Sequence, residues 1–515
     1  MLLDLGAEHV DMASNGEEVI ERCSRTRYDV VLSDYNLGNG RNGQQVLEEL
    51  RFREYLSTRS IYILVSAESS RNIVMSSYDS APDDYLMKPI TAKMLQNRLE
   101  RLLKLRTAMS PVYDAFEKQD TNRAIDILID MSIAEDRFST AAQKLLGQLF
   151  LDTGEFKKAE KLYMRVLEVR ELDWARLGLA KAKHCQGELE QAGSWLEKII
   201  EDNYLYLPAY DALADNWIEK GDAKQAQFVV QNSVDVSPMS ILRQKNLARL
   251  ATTNGDTEAA VDALRKVVKL GKLSCYGALS DKIDLARAVS EALEKEETVS
   301  ASLIGEVMEG FEEMELSEEP SLHQKVQAIY IGSRLYAKKA NKDKALDLLS
   351  KGEQLLLPED SQIDVEVDHI KALLSLGYRQ KVDELLELFK DLYADDQEAL
   401  EKLDQFLDEP ASDANKAMVA EVNSEGIKLY NEGDFDAALS CFDRATTLFP
   451  KHVGLQLNVV QALIGKLKAD PSDAELHLLC RESLESIHAT IDPSNHQYKR
   501  FLQLKSMAKN FYESA

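Results

Sequence analysis

A repeat of 33 or 34 residues constrains the fold of this 515-residue chain more than any other feature. It is marked by glycines at positions 154, 187, 221 and 255. A small residue precedes each glycine by seven positions, an alanine follows it by five, and a large apolar residue follows it by nine. Glycine accepts the left-handed conformation that ends a helix. A helical hairpin of this kind cannot bury its faces alone, so the pattern predicts a stack of hairpins.

The pattern is repeated four times in succession and recurs near the end of the chain as Gly426, Gly433, Ala438 and Phe442. It resembles the tetratricopeptide repeat (TPR), and the resemblance implies an all-α superhelix that holds an unknown protein or peptide in its groove. We predict a TPR array at residues 109–275 and a helical region with degenerate TPR-like repeats at residues 276–408. Residues 416–515 are predicted to form a C-terminal TPR and terminal helices.

Residues 1–108 lack the repeat and alternate short apolar runs with amphipathic stretches. This alternation predicts a doubly wound parallel sheet with helices on both faces. The predicted strands are residues 8–13, 29–33, 60–67 and 83–89. The predicted helices are a helix that opens at Asn15-Gly16 and continues to Cys23, and helices at residues 43–56 and 91–105.

Three successive predicted strands end in residues with complementary chemistry, namely Asp34, Ser66 and Lys88. In parallel sheets, the carboxyl ends of the strands lie at one edge, so an acid, a hydroxyl and an ammonium group are expected to meet there. Taken one at a time, an aspartate at a strand end is most often a turn or capping residue, and a lysine there is usually a surface residue. Their occurrence at three consecutive strand ends favours a shared site.

These residues resemble the receiver domain of two-component response regulators, which has a flavodoxin-like fold. The resemblance implies that Asp34 is the phosphoacceptor, which would carry the 4-aspartylphosphate. It also implies that Ser66 and Lys88 contact the phosphoryl group and that Tyr85 follows Ser66 as a switch residue. Mg²⁺ is expected as the cofactor, with ligands from the Asp34 side chain and the Asn36 backbone carbonyl.

The sequence departs from the receiver pattern in two ways. Gly38 lies where family members usually have proline after the acceptor. The first strand and the acidic pair that follows it and binds Mg²⁺ are absent, since Met1 falls in the second half of the expected first helix. We favour a missing stretch of N-terminal residues as the explanation. The alternative is a degenerate receiver that serves as a docking module.

Composition excludes several classes of function. The chain has 62 basic and 88 acidic side chains and a net charge of −26, which argues against nucleic acid as the main partner. No apolar run approaches the length that spans a bilayer, so no membrane insertion is expected. The five cysteines are scattered without metal-ligand spacing, which favours a cytoplasmic protein. The repeats contain no phosphate-binding loop or nucleophile motif, so we expect no enzymatic output.

Together these features favour a bacterial response regulator with a protein-binding output. A sensor histidine kinase or phosphotransfer protein would phosphorylate Asp34, and the change at Ser66 and Tyr85 would alter the face formed by residues 83–105. The altered face would change the exposure of the repeats or a homodimer contact. The alternative is a phosphorylation-independent TPR scaffold whose degenerate receiver only docks partners.

Overall fold

The structure is a computed structural model that describes residues 2–67, 81–134, 136–316, 319–357, 360–469, 473–491, 493 and 495–512. The chain divides into two compact units, at residues 1–307 and 308–515. The first unit contains a small sheet and a long series of helices, and the second is helical in its described residues.

The described part of the sheet has three parallel strands, β1 (Val30–Asp34), β2 (Ile61–Ser66) and β3 (Asp84–Met87), in that order. Val30 of β1 lies opposite Ile61 of β2, and Ser66 of β2 lies opposite Met87 of β3. Because the strands are parallel and in register, their carboxyl ends share one edge. The predicted parallel sheet is therefore confirmed for these three strands.

The strand predicted at residues 8–13 is wrong. These residues are described and form no strand, although the helix after them begins where expected. In the described sheet, β1 is an edge strand with β2 as its neighbour. A β-strand forms by hydrogen bonding to a neighbouring strand, so an alternating apolar pattern alone does not produce one.

Two helices precede β2, namely α1 (Gly16–Arg25) and α2 (Gly43–Phe52). Asn15 caps α1 by accepting a hydrogen bond from the backbone N–H of Glu18 at 2.9 Å. Asn42 and Gln45 form a reciprocal capping box at the start of α2, which fixes where that helix begins. The helix predicted at residues 43–56 ends four residues early because Glu54 has a φ of 57°.

The sheet is covered on both faces. Val46, Leu47 and Leu50 of α2 are fully buried against one face. The other face packs against a long helix, α3 (Ala92–Glu117), which contributes Leu95 and Leu99. The spacing of these apolar residues places them on one side of each helix, so the amphipathic pattern accounts for the layers.

Helix α3 is continuous from the sheet into the repeats, and the domain boundary expected at residue 108 falls inside it. The helix predicted at residues 91–105 thus extends twelve residues further, through Pro111. The helices that follow pack, each against the next along the chain, from residue 121 to residue 294, and the last of them (Ala301–Leu316) crosses the boundary between the two units. They are α4 (Thr121–Ile133), α5 (Ser139–Asp152), α6 (Phe156–Val169), α7 (Asp173–Cys185), α8 (Leu189–Asp202), α9 (Leu207–Glu219), α10 (Ala223–Val236), α11 (Ile241–Thr253), α12 (Thr257–Gly271), α13 (Leu279–Glu294) and α14 (Ala301–Leu316).

The repeat glycines have the conformation that the sequence predicts. Gly154, Gly187, Gly221 and Gly255 have φ angles between 71° and 79°, in the left-handed region. The large apolar position also fills the expected space, because the ring of Tyr163 lies against two glycines. A Cβ atom added to Gly147 or Gly178 would approach Cζ of Tyr163 to 2.5 or 2.2 Å. The close crossing of the helices therefore depends on small residues facing one large ring.

The second unit repeats this packing at residues 422–450. Gly433 has a φ of 87°, and a Cβ atom at Gly426 would lie 2.4 Å from Cε1 of Phe442. Its helices are α15 (Leu322–Lys338), α16 (Lys342–Leu355), α17 (Ile363–Ser375), α18 (Arg379–Leu392), α19 (Gln397–Asp404), α20 (Asp413–Glu432), α21 (Phe435–Leu448), α22 (Val453–Ala469), α23 (Ala474–Thr490) and α24 (Tyr498–Tyr512).

Candidate functional site

The carboxyl edge of the sheet brings Asp34 and Lys88 together. Asp34 ends β1, and Lys88 follows β3 directly. The Lys88 ammonium group donates a hydrogen bond to Oδ2 of Asp34 and forms an ion pair with it. The two residues are 54 positions apart in the sequence, so their contact comes from the strand order alone. The structure thus places two of the expected site residues in direct contact.

The Asp34 carboxylate is accessible to solvent and to a reactant. Its side chain is 33% exposed and that of Lys88 is 42% exposed. The backbone N–H of Asn36 donates to Oδ1 of Asp34 at 3.1 Å, and the N–H of Gly38 donates to Oδ1 of Asn36 at 3.1 Å. These bonds shape the loop after β1 and hold one carboxylate oxygen while Lys88 holds the other.

Gly38 explains one departure from the receiver pattern. Its φ is 86°, in the left-handed region. Proline holds φ near −65°, so a proline at this position is incompatible with the loop as it is folded here. The glycine is therefore required by the longer loop that connects β1 to α2.

Ser66 and Tyr85 lie on the face of the sheet that α2 covers. Side chains alternate between the two faces of a strand, so Ser66 shares a face with Tyr62 and Leu64, which pack against α2. Tyr85 lies opposite Leu64 and packs in the same cluster. Ser66 is 1% exposed, and its carbonyl accepts a hydrogen bond from the Lys88 backbone N–H at 2.8 Å. All four expected residues therefore surround the end of β2.

The acidic residues available to a metal ion are few. Across the described part of the chain, no group of three or more His, Cys, Asp or Glu side chains could hold a metal. The loop offers the carboxylate of Asp34 and, as the resemblance implies, the carbonyl of Asn36. Mg²⁺ usually keeps several water ligands and uses one or two protein carboxylates together with phosphate oxygens. A Mg²⁺ ion held by these two protein oxygens would therefore take its remaining ligands from water and phosphate oxygens.

Sequence reasoning missed how α3 is fixed to the sheet. Arg106 forms an ion pair with Asp83 and donates to the carbonyl of Ser60 at 3.3 Å and to the Tyr113 hydroxyl at 2.8 Å. Arg59 forms an ion pair with Asp114. The sequence did contain an indication of these ion pairs, because two adjacent aspartates, Asp83 and Asp84, precede a helix rich in arginine. These bonds join the sheet to the first turns of the repeat region.

The described residues contain no helix that is both long and apolar enough to cross a bilayer. All five cysteines lie in the described part of the chain, and none of them forms a disulfide bond.

Comparisons with known proteins match the two parts of the chain separately. Residues 1–100 match the response regulator receiver domain family. Residues 145–171 and 174–198 match tetratricopeptide repeat families. The family matches therefore fall on the sheet and on the first hairpins of the array.

The first part is similar to curated chemotaxis proteins. It is 26% identical to chemotaxis protein CheY-3 of Vibrio cholerae over 102 residues, which cover 20% of this chain and 77% of that protein. It is also 26% identical to chemotaxis protein CheY of Pseudomonas aeruginosa over 102 residues, which cover 20% of this chain and 81% of that protein.

Solved structures of TPR proteins are among those that match. A tetratricopeptide repeat protein from Parabacteroides merdae covers 52% of this chain and 98% of its own, at 13% identity and a TM-score of 0.29. The TPR protein YrrB, described as having an unusual peptide-binding site, covers 38% of this chain and 93% of its own, at 17% identity and a TM-score of 0.30. The chain carries a response regulator receiver domain at residues 1–100 and, after it, tetratricopeptide repeats that include residues 145–198.

Proposed function

We propose that this protein is a phosphorelay response regulator that accepts a phosphoryl group on Asp34 and thereby controls protein binding by its TPR array. The single observation that supports this most is the contact between the Asp34 carboxylate and the Lys88 ammonium group at the open edge of the sheet. The membership of residues 1–100 in the receiver family supports it independently. We also propose that the output involves neither DNA binding nor an enzymatic reaction.

The chemistry assigns a role to each residue at the sheet edge. An Asp34 oxygen attacks the phosphorus atom of a histidine kinase, phosphotransfer protein or small phosphodonor, and a new P–O bond forms as the bond to the donor breaks. The electron pair of that bond leaves with the donor. Lys88 offsets the negative charge on the transferred phosphoryl oxygens, and the Ser66 hydroxyl is the proposed hydrogen-bond donor to one of them. Bound Mg²⁺, held by Asp34 and the Asn36 carbonyl, would add positive charge at the same oxygens.

The alternative function is a scaffold that works without phosphorylation. The observation that favours it is that, within the described part of the chain, no group of three or more His, Cys, Asp or Glu side chains could hold a metal ion. In that case the receiver would dock partners through its surface, and the repeats would bind them regardless of Asp34.

Phosphodonor labelling separates the two functions. We expect the full-length protein, incubated with acetyl phosphate and Mg²⁺, to gain one phosphoryl group on the peptide that contains Asp34, as measured by mass spectrometry. The Asp34→Asn variant should gain none, because its amide has nearly the same shape but is not a nucleophile for phosphorus. Asp29→Asn is the matched control, since Asp29 precedes the same strand at its opposite end. An unlabelled wild type would favour the scaffold.

A further inference from the structure

A cavity of about 770 Å³ lies between α3 and the helices that follow it. One side of the cavity is formed by α3, between residues 97 and 105. The other side comprises the turn before α5, the first two turns of α5, and Trp174 at the start of α7. The volume is within the range of about 300–1,000 Å³ that is usual for ligand sites in proteins. The cavity is separate from the sheet-edge site, since neither Asp34 nor Lys88 lines it.

The apolar lining of the cavity is held in place by the core. Leu102 is buried in the cluster that joins α3 to the sheet, and Leu105 and Trp174 pack against the core of the first hairpins. Trp174 also meets Tyr163 edge to face, with the ring centroids 6.2 Å apart. The half-buried ring of Phe138 completes the lining. Because most of these side chains belong to the core, the apolar surface is already formed before a ligand arrives.

The charged lining of the cavity is mainly basic. It consists of four basic and two acidic side chains, namely Arg101, Lys104, Arg137, Lys144, Asp83 and Glu100. Two of the basic groups come from α3, and the other two come from the opposite side. The chain as a whole has a net charge of −26. The cavity is therefore a local basic site on an acidic protein.

The acids of the lining and the basic groups of α3 already have partners. Asp83 is held by the ion pair with the arginine of α3 described above. Glu100 forms an ion pair with Lys104 at 3.4 Å, and Arg101 forms one with Asp84 at 2.8 Å. These pairs leave the charge of the other side of the cavity for a ligand.

Arg137 and Lys144 provide that charge. Both side chains are exposed, and neither forms an ion pair with any residue in the part of the chain that the structure describes. The guanidinium carbon of Arg137 lies 4.6 Å from the centroid of the Phe138 ring, a cation–π contact. This contact holds a positive charge directly beside the apolar lining. The arrangement suits a ligand that carries both carboxylates and a large apolar side chain.

We propose that this cavity binds an acidic segment of a partner protein. One large apolar side chain of the segment lies against Phe138 and Trp174, and its carboxylates pair with Arg137 and Lys144. This inference rests on the proposed function, because it names the partner of the protein-binding output, but it does not require phosphorylation of Asp34.

Charge favours a peptide over a nucleic acid as the ligand. A nucleic acid carries a phosphate charge at every nucleotide, and the net charge of −26 repels such a polymer wherever it extends beyond the cavity. A short acidic segment places its few carboxylates at the basic site alone. The apolar lining also favours a peptide, since a hydrophobic anchor surrounded by polar contacts is the usual arrangement of a protein–protein interface.

Fluorescence anisotropy of the fluorescein-labelled peptide Glu-Glu-Phe-Glu-Glu tests the proposal on the full-length protein. We expect the Arg137→Glu/Lys144→Glu double variant to bind this peptide at least about tenfold more weakly than wild type, because two attractive charges become repulsive. Both side chains are exposed, so the variant should fold, which circular dichroism checks. The matched control is Lys157→Glu/Lys161→Glu on α6. It changes the net charge equally at two exposed lysines outside the cavity and should bind within about twofold of wild type.

A second peptide tests the apolar lining. Glu-Glu-Ala-Glu-Glu keeps the carboxylates but lacks the ring, and we expect it to bind wild type at least about fivefold more weakly. Equal affinity of wild type for the two peptides, or equal affinity of the two double variants for the first peptide, would overturn the proposal. Absence of binding would overturn it too. Displacement of the peptide by an equal concentration of a thymidine oligonucleotide would assign the cavity to nucleic acid instead.

The phosphoryl label on Asp34 distinguishes this failure from failure of the proposed function. Wild type that gains the label but does not bind the peptide overturns the cavity proposal and leaves the proposed function standing. Wild type that binds the peptide through Arg137 and Lys144 but never gains the label overturns the phosphorelay and leaves the cavity proposal standing.

Discussion

Lys88→Ala is expected to slow phosphorylation of Asp34 by about 10²–10³-fold, the loss that follows removal of one positioned group that stabilises transition-state charge. The ammonium group contacts Oδ2 of Asp34 and is therefore already in place when a phosphoryl group arrives. Since both side chains are partly exposed, water screens part of the effect, and we expect the lower end of the range. The measurement is the initial rate of labelling at Asp34 with acetyl phosphate in excess.

Two variants control for the Lys88 result. Lys93→Ala removes an exposed lysine from the first turn of α3, five residues further along, and should be labelled at the wild-type rate. Lys88→Arg keeps the positive charge but replaces the compact ammonium group with a planar guanidinium group. We therefore expect it to recover only part of the wild-type labelling rate. Labelling of Lys88→Ala as fast as the Lys93→Ala control would show that Lys88 has no part in the transfer.

Tyr163→Ala is expected to destabilise the array by about 3–5 kcal/mol, the usual range for deletion of a buried aromatic side chain. Tyr163 is 3% exposed, and its ring fills the space beside Gly147 and Gly178. It also meets Trp174 edge to face, at 6.2 Å between centroids. The two positions that face the ring, Gly147 and Gly178, are glycines and have no side chain that could expand into the space. The cavity would therefore remain.

The stability change is measured by urea unfolding followed by circular dichroism. Tyr163→Phe should change the free energy of unfolding by less than about 1.5 kcal/mol, because it keeps the ring and nearly the same volume. Phe228→Ala, which removes an exposed ring in the same array, should have an equally small effect. A loss below about 1 kcal/mol for Tyr163→Ala would mean that the repeat is not held by its large apolar position.

The repeats were predictable from the sequence because their determinants are local. A glycine such as Gly187 fixes the end of one helix, and the residues at fixed distances from it fix how the next helix packs. The site at the sheet edge was predictable for a related reason. In a parallel sheet, residues at the carboxyl ends of neighbouring strands must lie close together, so the contact of Asp34 with Lys88 follows from the strand order.

Other features depend on partners distant in the sequence and were missed. Residues 8–13 alternate like a strand, but the described sheet provides β1 with no neighbour on that side. The continuation of α3 past residue 105 depends on bonds from Arg59 and Arg106, which hold the helix through Pro111. None of these is determined by the local pattern of residues.

Hydrogen–deuterium exchange in the array, with and without phosphodonor, tests most directly whether Asp34 controls the repeats. In the full-length wild type with labelled Asp34, we predict faster exchange within residues 121–307 than in unlabelled protein. In the Asp34→Asn variant, the phosphodonor should change nothing in that segment. Wild type that carries the phosphoryl group on Asp34 yet exchanges at unchanged rates throughout residues 121–307 would contradict this account.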